Sequence, residues 1–410
     1  MNIAKNHARR IRAALNLFAV ITMMFSFCMM TSVNGENLSA SELLMPEADL
    51  FVKCDMADLR ESQIVQELEK IKEEEGESLA EGALNFKKSD ELEELGKEIQ
   101  EMTGLKKEDL LGFVIAADFD DIDWDNPEDA QNFNGVAAVN LAKPLSLDQL
   151  EEALRKTASM RDEDKPMPEF SRSEIGGQEV LVVDNNGDAA EEESGSKQDA
   201  QLYFTSVANE KTILVGTETG INDAVSRIGQ EDSGAVEDEF PGWAVKEMED
   251  EHLSVLFKFT PEMRSRLAEQ VEENAGSGQD GQSESGQKSH KEAFLKVIPQ
   301  LQTVKLGMNF TDVIDGKLQG EMGDADGASQ LQQLLQNPVI SMTQVTLMFL
   351  TGGQNLPFAN SLGAGIEDDV RASLSFQVSM KDIDILREAS AENADQENPL
   401  VPDQEEENQQ

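Results

Sequence analysis

VRASLSFQVSM, residues 370–380, alternates apolar and polar side chains without a break. Val370, Ala372, Leu374, Phe376, Val378 and Met380 fall on one face of an extended chain, and Arg371, Ser373, Ser375, Gln377 and Ser379 on the other, which predicts a strand with one buried face. The segment then runs on into a short amphipathic helix, so that SFQVSMKDIDILREA (375–389) reads as strand, polar turn and helix. FVKCDMADLRES (51–62), VAAVNLAKPLSLDQLEEAL (136–154) and VLFKFTPEMRSRLAEQ (255–270) have the same form. A second unit, a hairpin followed by a helix, recurs in residues 202–229 and 306–335. This is degenerate internal repetition, and its simplest expression is two related halves of antiparallel sheet with helices packed on them, an α+β fold.

Local signals agree with that layout. Gly176-Gly177 and Asn209-Glu210 separate short apolar runs and predict hairpins at about 170–184 and 201–216. Val304, Leu306, Met308 and Phe310 alternate, and Asp315-Gly316 is the turn signal before a partner strand ending near Met322. Leu59, Ile64, Leu68 and Ile71 form one helical stripe, and Leu92, Leu95, Ile99 and Met102 another, with Gly104 as a stop. Ser146 with Gln149, and Thr260-Pro261, mark helix starts. Val339–Leu350 is apolar but only 12 residues long, a core helix and not a membrane span.

Residues 1–35 contain no acid, carry Lys5, Arg9, Arg10 and Arg12, and then run apolar to about Val33, the pattern of a secretory signal cleaved before Glu36. The apolar run is long enough to leave an uncleaved anchor as the alternative; either way the remaining chain is expected outside the membrane, periplasmic or extracellular. Three stretches nearly lack large apolar residues and are expected to be disordered: 186–201, 274–292 and the tail 389–410. The expected organisation is a signal at 1–35, an α+β domain at 36–230, a second at 231–388, and the acidic tail.

The chain has 410 residues, 81 Asp plus Glu against 34 Lys plus Arg, and a formal net charge of -47. Such a field repels phosphate backbones and anionic headgroups, which excludes nucleic acid and an anionic membrane surface as partners. Only 15 of the 81 acids fall in the three polar stretches, so the acidity belongs to the folded surface. It serves either to solvate an exported protein or to attract a cationic protein or divalent ions.

Candidate chemistry is sparse. Beyond the signal, Cys54, His252 and His290 are the only Cys and His residues, which forbids an intrachain disulfide and a multi-cysteine metal site. His290 lies in a Gly/Ser/Gln stretch and His252 opens a strand, neither the setting of a catalytic base. Cys54 shares register with Val52 and Met56 and reads as a small core hydrophobe. Paired carboxylates of a hydrolase have no discriminating value in a chain this acidic. Gly363-Ala364-Gly365 is followed by Asp368 where a dinucleotide loop needs Gly or Ala.

The sharpest local feature is DFDDIDWDNPED (118–129), whose oxygen density suits calcium. Asp121, Asp123 and Asp125 match positions 1, 3 and 5 of a calcium loop, with Asp129 as a further ligand candidate. Asn126 stands where that loop needs glycine and Asn132 where it needs glutamate, so an acidic solvated loop is the simpler reading.

In layout, the export signal, the opening LLMPEADLFVKCDMADL (43–59), the step MTGLKKEDLLGFVIAADF (102–119) and the recurrent hairpin–helix units resemble uncharacterised secreted proteins of planctomycete-like bacteria. The resemblance spans roughly 45–390 and implies an exported α+β repeat fold with no catalytic residue. The expected function is therefore non-catalytic, in binding or envelope structure; the alternatives are a calcium-binding protein using Asp118–Asp129, or a carboxylate-based hydrolase.

Overall fold

A computed structural model describes residues 48–75, 103–119, 134–159, 167–184, 201–207, 209–227, 240–276, 292–340 and 357–385. The expected signal, the tail, the stripe from Leu92, and most of the other two polar stretches lie outside these residues. Gln201 belongs to a strand, 274–276 close a helix, and Glu292 opens helical residues 292–297, so the ordered elements reach into the margins of those stretches.

Twelve strands form one antiparallel sheet. They are β1 (Leu50–Asp55), β2 (Leu110–Asp118), β3 (Asn134–Leu141), β4 (Glu169–Ile175), β5 (Gln178–Asp184), β6 (Gln201–Val207), β7 (Thr212–Gly216), β8 (Leu253–Lys258), β9 (Leu301–Phe310), β10 (Val313–Met322), β11 (Gly363–Glu367) and β12 (Arg371–Ser379). The helices that concern the argument are α1 (Met56–Glu61), α2 (Gln63–Glu75), α3 (Leu147–Ser159), α4 (Glu218–Arg227), α5 (Gly242–Glu249), α6 (Pro261–Gly276) and α7 (Ala325–Leu334). The strand order is β11-β12-β10-β9-β8-β1-β2-β3-β7-β6-β5-β4. The fold is α+β.

Its centre is a seam between strands some two hundred residues apart: β1 pairs antiparallel with β8, Phe51 opposite Leu256. Outward from the seam the order is β8-β9-β10-β12-β11 on one side and β1-β2-β3-β7-β6 on the other, where the β5–β4 hairpin is added at the edge. On each side the first, third and fourth strands outward lead into helices. By position from the seam, β3 thus corresponds to β10 and β7 to β12, a different correspondence from the one their sequence form suggests.

The helix starts are side-chain caps that the sequence makes visible. Asp55 accepts from Asp58 N–H at 3.1 Å to begin α1. Ser146 and Gln149 exchange bonds as a capping box before α3. Thr217, Thr260 and Asp324 cap α4, α6 and α7, and Ser379 with Asp382 caps the turn after β12.

Two local expectations are corrected. The Leu59–Ile71 stripe is two helices, because Ser62 is extended and its hydroxyl caps Val65 N–H. The β9–β10 turn lies at Thr311-Asp312, and Asp315-Gly316 sits inside β10 opposite Asn309 and Met308. Gly316 is there because the Phe376 ring of β12 lies where a β-carbon would point, a packing need and not a turn.

Alternation along the strands separates two apolar layers. Phe51, Val114, Ala116, Val136, Val180 and Leu214 face α4 and α5 in one core. Val52, Cys54, Phe113 and Ile115 face α1 and α2 in the other, which two smaller clusters under α7 continue on the same side of the sheet. β1 and β2 are therefore buried on both faces, and Cys54 is a buried thiol, as its register predicts, whose Sγ lies 3.1 Å from Met56 Sδ.

Candidate functional site: a buried charge network on the polar half of the sheet

The register places Phe51, Leu256, Lys305, Gln319 and Ser373 across one face of the sheet. From β8 through β5 in sheet order this face carries an apolar core. Over β9, β10, β12 and β11 it carries Thr303, Lys305, Gly307, Lys317, Gln319, Glu321, Arg371, Ser373, Gly365 and Glu367. Half of it is not solvated: Lys305 and Gln319 are fully buried, Arg371 is 6 % and Ser373 7 % exposed. The alternation of 370–380 would have left Arg371 and Ser373 in water. They are covered instead because chain remote in sequence packs on this face.

Helix α5 supplies part of that cover. Ala244 and Met248 anchor it in the apolar half, and Lys53 of β1 donates to the carbonyls of Met248 and Glu249 at 2.8 and 2.9 Å, capping its C-terminus. Burial lowers the Lys53 pKa from its ordinary value, against the opposing pull of Asp55, Glu249 and Glu251. Toward the polar half, Glu247 lies 3.4 Å from Lys305 Nζ and 3.7 Å from Arg371 Nη1. Just after the helix, Glu251 pairs with Lys305 and accepts from Ser254 Oγ at 2.5 Å. The Glu251 carboxylate occupies the space over Gly307, where any β-carbon would meet it.

Arg371 completes the network. Its guanidinium lies 4.2 Å from the ring centre of Trp243 and pairs with Asp368. Asp368 and Asp369 both hold positive φ, 46° and 58°, in the β11–β12 turn without the help of glycine. Beside them, burial opposes ionisation of Glu367, but Lys317, Gln319 and Ser373 outweigh it and hold its carboxyl below the usual value. Trp243 Nε1, Arg371 Nη1 and Gln319 Oε1 are buried without a hydrogen bond. Each such atom costs about 1–3 kcal/mol if it stays unpaired.

The acidic candidates fall elsewhere. Asp121, Asp123, Asp125 and Asp129 lie outside the described residues. Asp118, the last residue of β2, is buried beside Phe119, whose N–H donates to Asp49. β2 and β3 are neighbours, Asp118 opposite Asn134, so the acidic segment connects two adjacent strands at one end of the sheet. His252 links strands: its Nδ1 accepts from Phe310 N–H at 3.0 Å and its own N–H donates to Asn309. Gly363 and Gly365 form edge strand β11 and no phosphate loop. An open hollow of about 420 Å³ near the β4–β5 and β6–β7 turns is lined by Gln178, Ser206, Asn209 and Glu210; Ser206 Oγ bonds the Leu145 carbonyl.

Chemically, the network opposes cations to carboxylates across the sheet, and the serine hydroxyls it sets against carboxylates, Ser254 on Glu251 and Ser373 on Glu367, are buried. Among the described residues no helix is long and apolar enough to cross a membrane, and no three His, Cys, Asp or Glu side chains are grouped as metal ligands. Comparison of the chain with protein-family models, with curated proteins and with solved structures finds no match.

Proposed function

We propose that this chain is an exported, acidic, non-catalytic protein that acts in binding or in envelope structure. The observation that carries the reading is how the ionisable groups around α5 are used: Lys53, Lys305, Arg371, Glu247 and Glu251 tie the helix to both halves of the sheet. Groups held in this way serve rigidity, whereas a general base or nucleophile needs a substrate-facing position. The acid-free basic and apolar segment at 1–35 supports export, and the spread of acids through both halves supports solvation as the first role of the charge.

The test has two arms. N-terminal sequencing of the protein recovered from a secreting host should begin at Glu36, and the purified protein should turn over no member of a broad hydrolase substrate panel. Turnover that disappears on replacing a single Asp or Glu would overturn the non-catalytic reading; recovery only from the cytoplasm would overturn export.

A further inference from the structure

The sheet ends in two edge strands, β4 and β11. β11 is hydrogen-bonded to β12 on one side, and among the described residues its backbone makes no hydrogen bond on the other. An unpaired edge is a template for another strand unless charges, proline or a bulge blunt it. β4 is blunted: Glu169, Arg172 and Glu174 stand along it, and Arg172 at its middle pairs with Asp148 and Glu151. β11 has one charge, Glu367 at its end, and that carboxylate is held by Lys317 and Gln319. On the apolar side of β11, Ala364 packs on the cluster of Leu335, Ala372 and Leu374, whereas Ile366, opposite Ala372, is 46 % exposed. The apolar layer therefore reaches the edge of the sheet and ends on a half-exposed β-branched side chain at an open ladder.

We propose that the occupant of this edge is a second copy of the chain, joined antiparallel through β11 about a two-fold axis at Gly365. That register pairs all five residues of the strand with those of the other copy. It sets Ala364 against Ile366 of the second copy on the apolar side, so each exposed isoleucine gains a small neighbour and the apolar layer runs on from copy to copy. On the other side Glu367 meets Gly363, and no like charges face each other. The same construction on β4 opposes Arg172 to Arg172, which makes β4 the wrong edge. A basic peptide, the other strand an acidic chain invites, finds along β11 only the carboxylate of Glu367, which Lys317 already holds. Five residue pairs bury less than the about 1,200 Å² of a stable complex, so the contact is weak. The net charge of -47 on each copy opposes it, and association tightens as salt screens that repulsion. The inference needs neither export nor the absence of catalysis.

Sedimentation equilibrium of the purified protein, up to about 500 µM, should show a monomer–dimer equilibrium that is tighter in about 0.5 M than in about 0.05 M NaCl. Ile366→Lys puts a charge on the strip at an exposed position, and should weaken association at least about tenfold with melting unchanged. Gly365→Cys lies on the proposed axis, where a β-carbon meets only Ser373 Oγ, at 3.4 Å. Mild oxidation should link its two copies, since Cys54 is buried, whereas Asp148→Cys, exposed in the other half of the sheet, should stay unlinked. A monomer under every condition, a dimer indifferent to Ile366→Lys, or Gly365→Cys linking no better than Asp148→Cys would overturn the proposal.

Discussion

Lys305→Met should be among the most destabilising single substitutions in this protein. The side chain is fully buried and its ammonium faces Glu251, itself only 11 % exposed, and Glu247. Methionine fills nearly the same volume, so little packing is lost. What is left is a buried carboxylate held only by the Ser254 hydroxyl. Removing one member of a buried pair costs about 3–5 kcal/mol, whereas replacing both by apolar groups is often close to neutral. At about 2 °C per kcal/mol for a chain of this size, the single variant should melt roughly 6–10 °C lower. Lys305→Met/Glu251→Leu should recover most of that, because the stranded charge is gone and Gly307 leaves room for the new side chain. Calorimetric melting of wild type, both single variants and the double closes the cycle. A Lys305→Met loss below about 1 kcal/mol, or a double variant as unstable as the sum of the singles, would refute the assignment of a buried, coupled pair.

Other expectations follow from the same contacts. Gly316→Ala pushes a methyl into the Phe376 ring and should cost about 1–3 kcal/mol; combined with Phe376→Ala the losses should be clearly less than additive, which denaturation of the four proteins would show. Lys53→Met uncovers the Met248 and Glu249 carbonyls and should cost about 1–3 kcal/mol, with the loss of hydrogen-exchange protection greatest in α5. Glu367 is held below its ordinary value of 4.5, so the folded state keeps it ionised where the unfolded chain takes up a proton. Its contribution is complete above that ordinary value and is lost as pH falls through the folded one. Glu367→Gln should therefore flatten the melting temperature against pH below about pH 5, and an unchanged slope would contradict the pairing with Lys317.

The local grammar of the fold is legible in the residues. Ser146 with Gln149, Thr260 before Pro261, and Gly176-Gly177 each act within a few positions of themselves, and the structure places a cap or a turn at each. Gly316 shows where local reading stops: Asp-Gly is a common turn pair, but here the glycine answers to a ring from β12, some sixty residues away. The seam between β1 and β8 and the burial of Lys305 and Arg371 are longer-range still. Alternation says only that Lys305 and Arg371 face away from Val304 and Ala372; it does not say that α5, anchored in the other half, reaches over them. A hint was present in composition: two positions from Lys305 and Arg371, on the same face, stand Thr303, Gly307 and Ser373, and Gln319 lies opposite Lys305, small or amide groups that suit a closely packed polar face better than an open one. The aspartates at 121, 123, 125 and 129 were legible as a cluster, but their meaning depends on three-dimensional arrangement.

The most direct test of the central claim, that the acids are solvating surface on a fold held by its own core and internal pairs, is thermal unfolding of residues 36–410 in CaCl₂, MgCl₂ and NaCl at matched ionic strength. Matching matters because any cation screens a charge of this size. The account predicts equal shifts in the three salts, unchanged when Asp121, Asp123 and Asp125 are replaced by asparagine. A rise in midpoint peculiar to calcium at submillimolar concentration, and lost in that variant, would contradict it and establish a built cation site.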